Sequence, residues 1–342
     1  RAAMGNHADI LDKVEAQGYP KWTTHKCLVR KVMDKPMYEK FSKLKTSKGF
    51  TLDYAIKAGV ILPHVGVGIT NDGIESLNLY KELYDGIVEG WHGFKSNQDH
   101  VSNMNPADLK PFTISVDTIN KYVKSTRVRA GRSINGLSLP AFTSAKDRAE
   151  VESKLKTCFS GLQTDDELKG AYTDLTTMDK AMADELRGNG NLFQEPTGPA
   201  LLAAAGAGRD WPNSRGIYCA DSRKFFIWVN EEDHMRIISM ETGGDIISIF
   251  KRWSKGIETI KKLLEEQGSG YQFDKHFGYI HTCPSNLGTG LRASAMIMLP
   301  LLSDALTPHQ LEDFAKRFGV QARGGNGEHT PAGPGGKWDI SN

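Results

Sequence analysis

Thr282-Cys283-Pro284-Ser285-Asn286-Leu287-Gly288-Thr289-Gly290-Leu291-Arg292-Ala293-Ser294 places one thiol, one guanidinium and a turn of small residues within ten positions, Cys283 to Arg292. Pro284 and the small polar residues after Cys283 favour a turn over a continuing strand or helix. Gly288 and Gly290 let the backbone come close to a bound group. Arg292 can then hold an anion through its guanidinium fork.

Outward from this segment the chain alternates strand and helix signals. Tyr279–Thr282 reads as a short strand leading into Cys283, and the stretch Arg323 to Gly336, with six Gly and two Pro, reads as a mobile loop. Gly244-Asp245 opens a long helix with Ile246, Ile249, Phe250, Trp253, Ile257, Ile260 and Leu264 on its face, closed by Gly268. Lys224–Asn230 and Arg236–Met240 are β-rich, and the short connection from Glu231 to Met235 makes them an antiparallel pair. Ala145–Phe159 is a charged amphipathic helix, and Ser125–Arg129 reads as a strand end.

The first part of the chain has a different texture. His7–Gln17, Lys35–Lys45 and Ile74–Val88 carry helical spacing, and a glycine-containing loop covers Pro63–Ile69. Residues 93–112 are polar, with two Pro, and read as the linker. No βαβ alternation suggests a dinucleotide fold. The expectation is α+β, with a small helical N-terminal domain over residues 1–102 and a larger α+β C-terminal domain over 103–342.

Bulk composition excludes several classes. With 43 basic and 41 acidic residues in 342, overall charge gives no reason to expect nucleic acid or a membrane surface as partner. No apolar run approaches the ~18–20 residues that span a bilayer. The opening residues Arg1–Asn6 lack the apolar core of a secretory signal. Cys27, Cys158, Cys219 and Cys283 are scattered without metal-ligand spacing, so reduced thiols in a cytoplasm are expected, and no protein metal site. The end at Asp339–Asn342, just after the Gly/Pro-rich stretch, leads us to expect that further residues follow.

Four constellations can carry chemistry. Arg127 and Arg129 alternate, so on a strand they share a face. Together with Arg236, Arg292 and Arg323 they can enclose a polyphosphate. Glu231, Glu232 and Asp233 repel one another at a turn unless a cation joins them. Glu328 can close over a substrate from the Gly-rich loop. Val65-Gly66-Val67-Gly68 lacks the Lys-Ser/Thr of a P-loop, but can offer backbone amides. Taken singly, each arginine is more often a surface ion-pair partner, and each acidic or glycine-rich stretch an ordinary loop.

Read together, Ser125-Thr126-Arg127-Val128-Arg129-Ala130-Gly131-Arg132-Ser133, Arg209-Asp210-Trp211-Pro212, Trp228–His234, the Cys283 segment and Arg323-Gly324 with Gly327-Glu328-His329-Thr330 resemble the motifs of the phosphagen (guanidino) kinases. They occur in that family's order and spacing over essentially the whole chain. The resemblance implies an all-helical N-terminal domain and an antiparallel sheet flanked by helices. It implies phosphoryl transfer between ATP, carried with Mg2+, and a guanidino acceptor, the metal held mainly by nucleotide phosphates and water. By motif, Arg127, Arg129, Arg236, Arg292 and Arg323 hold the phosphates, and Glu232 binds the guanidinium and serves as base. Cys283, as thiolate, and Glu328 complete the acceptor site, and Val65–Gly68 forms the specificity loop. Physics agrees, since phosphoryl transfer rests on alignment and charge neutralisation, and the nearby arginines are expected to lower the Cys283 pKa.

The chain departs from the pattern at Gly190 and Met296, where the family usually has His. Trp91, before His92, stands at a position correlated with the acceptor. The short loop and Glu328 most resemble annelid-type lombricine and taurocyamine kinases; lombricine is the favoured acceptor, with arginine close behind and taurocyamine as a further alternative. A non-catalytic homologue that kept the fold is the alternative of another class. Oligomeric state stays open, with a homodimer as one candidate.

Overall fold

A computed structural model describes residues 18–198, 200–324 and 331–342. The helix expected over His7–Gln17 lies outside the described residues.

Short capped helices build the N-terminal part. They are α1 (Leu28–Val32), α2 (Lys35–Phe41), α3 (Leu52–Ile61), α4 (Ile74–Leu79) and α5 (Lys81–His92). Asp34 accepts from the Met37 amide and Thr51 from the Tyr54 amide, so α2 and α3 start where their first free N–H groups find an oxygen. α2 stops short of the expected Lys45, because Lys45 pairs with Thr51 in an isolated bridge. The single helix expected over Ile74–Val88 breaks at Tyr80, which is fully buried and donates its hydroxyl to the Leu44 carbonyl at 3.0 Å. Gly93, at φ 68°, closes α5 in the left-handed conformation.

The C-terminal part is one eight-stranded antiparallel sheet with helices packed against it. Its elements are α6 (Val116–Tyr122), β1 (Val123–Arg132), α7 (Ala145–Gly161), β2 (Gly170–Asp174), α8 (Lys180–Gly188), α9 (Leu201–Ala205), β3 (Gly216–Ala220), β4 (Phe225–Val229), β5 (Met235–Thr242) and α10 (Ile246–Glu266). The two-residue strands β6 (Phe273–Asp274) and β7 (Gly278–Tyr279) form a separate ribbon. β8 (Leu291–Met298), α11 (Pro300–Ala305), α12 (Pro308–Lys316), β9 (Gln321–Arg323) and β10 (Lys337–Ser341) complete it. Sheet order is β2-β3-β4-β5-β1-β8-β10-β9. The α+β expectation holds, and the predicted β4–β5 pair forms.

Two strand expectations change. Ser125–Arg129 is the middle of the central strand β1, not a strand end, because β5 and β8 pair with both its edges. Of Tyr279–Thr282 only Tyr279 belongs to a strand; the Thr282 amide donates instead to the Asp233 carboxylate at 2.8 Å.

Alternation along β1 fixes the position of the site. Val128 and Ala130 are buried in one core with Ile249, Trp253, Ile257 and Ile260 of α10. Strand period two therefore turns Arg127 and Arg129 to the opposite face. A second core holds the N-terminal helices together and includes Phe277, Ile280, Cys283 and Leu287. Cys283 is thus packed into the helical part, although β8 begins only eight residues later, at Leu291. The stretch 93–112 is likewise tied down: the His100 amide donates to the Lys275 carbonyl at 2.8 Å. No helix among the described residues is long and apolar enough to cross a membrane.

The loop Val65–Gly68 is seated on α3 by two bare backbones. A Cβ on Gly59 would lie 2.2 Å from the Gly68 carbonyl oxygen, and Gly68 itself sits at φ +78° against Cys27. Gly59→Ala is expected to push this loop off α3 and to cost ~1–3 kcal/mol, the usual range for overpacking. Urea unfolding checks this, with Gly188→Ala as control, because nothing lies within 4 Å of a Cβ there. Equal midpoints for the two variants would show that the loop yields freely.

Candidate active site

A cavity of about 540 Å³ opens between the Cys283 segment and the arginine face of the sheet. Its walls carry Trp91, Glu232 and Cys283 together with Arg129, Arg236, Arg292 and Arg323. A chain of contacts orders these groups. Trp91 stands against Gly66, where an added Cβ would come within 3.0 Å of its ring. The Cys283 thiol lies 3.1 Å from the Ser285 hydroxyl. A 3-10 turn over Pro284–Asn286 brings the Asn286 amide to Glu232 Oε1 at 3.2 Å. Arg236 then bridges Glu232 at 2.7 Å and Glu231 at 3.1 Å. Register places Arg129 directly opposite Arg292, and Arg292 holds Asp339 at 2.7 Å.

The arginines are crowded by design of the sheet. Arg127 does not line the cavity; it sits one alternation along the same face, with its guanidinium 5.3 Å from the centre of the Trp228 ring. Arg236 stacks on the same ring at 5.5 Å. Nε and Nη2 of Arg127 are buried without a hydrogen-bond partner among the described residues. Burial, and then the charge of its arginine neighbours, brings Arg127 down to about 10 and Arg129 down to about 9. Cations pressed together in this way favour an anion, whose arrival relieves both causes.

The acidic side is arranged for the opposite charge. Burial, opposed by Arg236 and reinforced by Asp233 and Glu231, lifts Glu232 well above the ordinary carboxylate range. A buried carboxyl with a raised pKa binds a planar cation and exchanges a proton near neutrality.

Cys283 differs from expectation. Its thiol is pushed up to about 12, first by burial and then by the negative charge of Glu232, while Ser285 opposes. The nearby arginines do not produce a thiolate, because Arg236 is held by Glu231 and Glu232 and Arg292 by Asp339. The group is therefore a thiol in the ligand-free protein.

Other expected residues fall less directly on the cavity. Val65, Gly66, Val67 and Gly68 do not line it; Gly66 reaches it only through Trp91. Glu328 lies outside the described residues. The Arg209-Asp210-Trp211-Pro212 motif is a clasp rather than part of the wall: Arg209 donates to the Ala141 and Thr143 carbonyls, and Asp210 pairs with Arg148 at 2.8 Å. Sequence reasoning missed His92, Asn286, Asp339 and Asn342. Asn286 stood inside the quoted segment, where the Pro284 turn was its signal; Asp339 carried none, because only the β8–β10 pairing brings it to Arg292. Among the described residues no group of three or more His, Cys, Asp and Glu is set to hold a metal ion.

The raised thiol pKa has a direct consequence. Alkylation of Cys283 by iodoacetamide, followed by peptide mapping, is expected to rise about tenfold per pH unit between pH 7 and 9, since only the thiolate reacts. A plateau below pH 8 would mean a thiolate already present.

Comparison with known proteins agrees with this geometry. Residues 150–342 match the family model of the ATP:guanido phosphotransferase C-terminal catalytic domain, and residues 23–89 that of the N-terminal domain. Arginine kinase of Penaeus monodon is 41% identical over 98% of this chain and 91% of its own length. The testis isozyme of creatine kinase from Oncorhynchus mykiss is 39% identical over 95% of this chain and 83% of its own. A crystal structure of lombricine kinase superposes with a TM-score of 0.87 at 33% identity, covering 99% of this chain and 88% of that one. With matching domains in both halves and full-length relatives at this identity, the chain belongs to the ATP:guanido phosphotransferases, the phosphagen kinases.

Proposed function

We propose that this protein reversibly transfers the γ-phosphoryl group of ATP to a guanidino acceptor, and that the acceptor is lombricine. The observation that carries this reading is one cavity with a buried carboxylate and thiol at one end of its contact chain and clustered arginines at the other. A guanidinium suits the first and a polyphosphate the second.

In this reading Glu232 orients the planar guanidinium, and the Cys283 thiol lies beside it. Arg127, Arg129, Arg236, Arg292 and Arg323 neutralise the phosphates. The acceptor nitrogen attacks the γ-phosphorus as the bond to the ADP oxygen breaks, and the proton lost from nitrogen passes to Glu232. Holding the reactants in line and cancelling charge supplies most of the acceleration. Glu328 acts as the second carboxylate toward the acceptor. Mg2+ arrives with the nucleotide, since the carboxylates by the arginines are already paired. Beyond the arginines the same sheet face continues through Ser125, Met240 and Met296, which receives the nucleoside. Four free cysteines suit the reducing cytoplasm.

Lombricine is favoured by the short Val65–Gly68 loop and by the fit to the lombricine kinase structure. Arginine is the second reading, favoured by the 41% identity to an arginine kinase.

A coupled ADP-release assay over lombricine, taurocyamine, arginine and creatine tests the acceptor. Lombricine is expected to give the highest kcat/KM. A higher value for arginine selects the second reading, and no turnover with any guanidine, despite nucleotide binding, makes the protein a non-catalytic homologue. Glu232→Gln is expected to leave nucleotide affinity intact and to lower kcat by at least ~10²-fold, the range of a positioned base. Wild-type turnover in that variant would remove Glu232 from the mechanism.

A further inference from the structure

At the floor of the cavity, which Asp233 helps to line, lies a buried acid–imidazole pair that none of the site roles above uses. His281 is fully buried and Asp233 nearly so. His281 Nδ1 donates to Asp233 Oδ2 at 2.7 Å. The Thr282 amide donates to Asp233 Oδ1 at 2.8 Å, and the Thr282 hydroxyl to the Glu232 carbonyl at 2.5 Å. The turn that carries Glu232 and the segment that carries Cys283 are therefore joined through this pair.

Two glycines show how close the pair lies to the cavity. A Cβ on Gly131 would fall 2.3 Å from Asp233 Oδ2, and one on Gly290 would fall 2.4 Å from His281 Nε2. Both glycines line the cavity. Nε2 of His281 is buried there without a hydrogen-bond partner among the described residues.

We propose that His281 is a positioning residue for the reaction: through Asp233 it fixes the Glu232 turn against the Cys283 segment and holds a negative charge facing both groups. This rests on the function proposed above for the roles of Glu232 and Cys283.

The surrounding charges leave this task to His281. Glu231 and Glu232 share the turn and repel Asp233. Arg236 on β5 is occupied by both glutamates. Arg129 on β1 belongs to the arginine cluster, and Arg132 stacks on Tyr279 at 3.6 Å while donating to the Thr289 carbonyl. His234 faces away, accepting from the Ile134 amide and contacting the Ser138 carbonyl. Burial alone raises the Asp233 carboxyl; the His281 charge, its hydrogen bond and the Thr282 amide reverse this and hold it below its ordinary value. The charge so kept is among the causes that raise Glu232 and Cys283.

A solely structural clip and a charge-holding residue differ in pH behaviour. In His281→Leu, Asp233 loses its donor and takes up a proton at neutral pH. Glu232 and Cys283 then lose a facing negative charge, and the pKa of each falls. The acid limb of kcat/KM for the best acceptor is expected to move down by about one pH unit, the low end of a neighbouring-charge effect. The pH profile of Cys283 alkylation moves in the same direction, and that arm needs no turnover. His281→Asn, which returns a hydrogen-bond donor near the Nδ1 position but no charge, moves both profiles less than His281→Leu does. Asp233→Asn alone reproduces the His281→Leu shifts, and adding it to His281→Leu moves nothing further. It also carries the test if His281→Leu does not fold. The proposal is overturned if folded His281→Leu or Asp233→Asn keeps wild-type profiles, or if His281→Asn shifts them as far as His281→Leu. If no guanidine is turned over by the wild type, the proposed function fails, and the alkylation profiles still decide the role of His281.

Discussion

The two-residue period of β1 is the constraint on which this site depends. One strand must bury Val128 and Ala130 under α10 and, by the same pleat, deliver Arg127 and Arg129 to the other face. Moving its register by one residue would bury the arginines under α10 and expose the apolar pair. The apolar core of the C-terminal part therefore holds the cation cluster in place. Pairing with β5 and β8 extends this face, setting Ile238 and Arg292 opposite Arg129.

That placement is electrostatically expensive without a ligand. Burial and mutual repulsion pull two arginines below their ordinary proton affinity, while burial and like charge push Glu232 and Cys283 above theirs. Arg236 is the point of compromise, since it closes both ranks through Glu231 and Glu232. Such opposed perturbations within one cavity are what a reaction between a polyanion and a planar cation requires. No covalent chemistry by the protein is needed.

Glycines decide how near the backbone comes. Gly131 and Gly290 leave room for the Asp233–His281 pair at the floor of the cavity, and Gly59 with Gly68 seats the loop beside Trp91. A methyl group would collide with the Asp233 carboxylate at Gly131, the His281 imidazole at Gly290, the Gly68 carbonyl at Gly59 and the Cys27 side chain at Gly68. Cys283 and Leu287 pack into the same apolar core as the N-terminal helices.

The sequence by itself determined the α+β class, the β4–β5 pair and the long helix α10, and it named several of the groups that share the cavity. Those features rest on local periodicity and on motifs whose residues act close to one another in the chain. Trp91, Glu232, Cys283 and four of the five arginines do meet in one cavity. Only the tertiary structure decided that Ser125–Arg129 is a central strand, that Tyr80 divides a helix, and that Asp339 meets Arg292. Each depends on partners far along the chain. The protonation of Cys283 was decided there too: proximity to arginines in sequence pointed to a thiolate, whereas burial beside Glu232, with those arginines already paired, gives a thiol. Charge in a folded site follows desolvation and neighbours in space, and neither can be read from spacing along the chain.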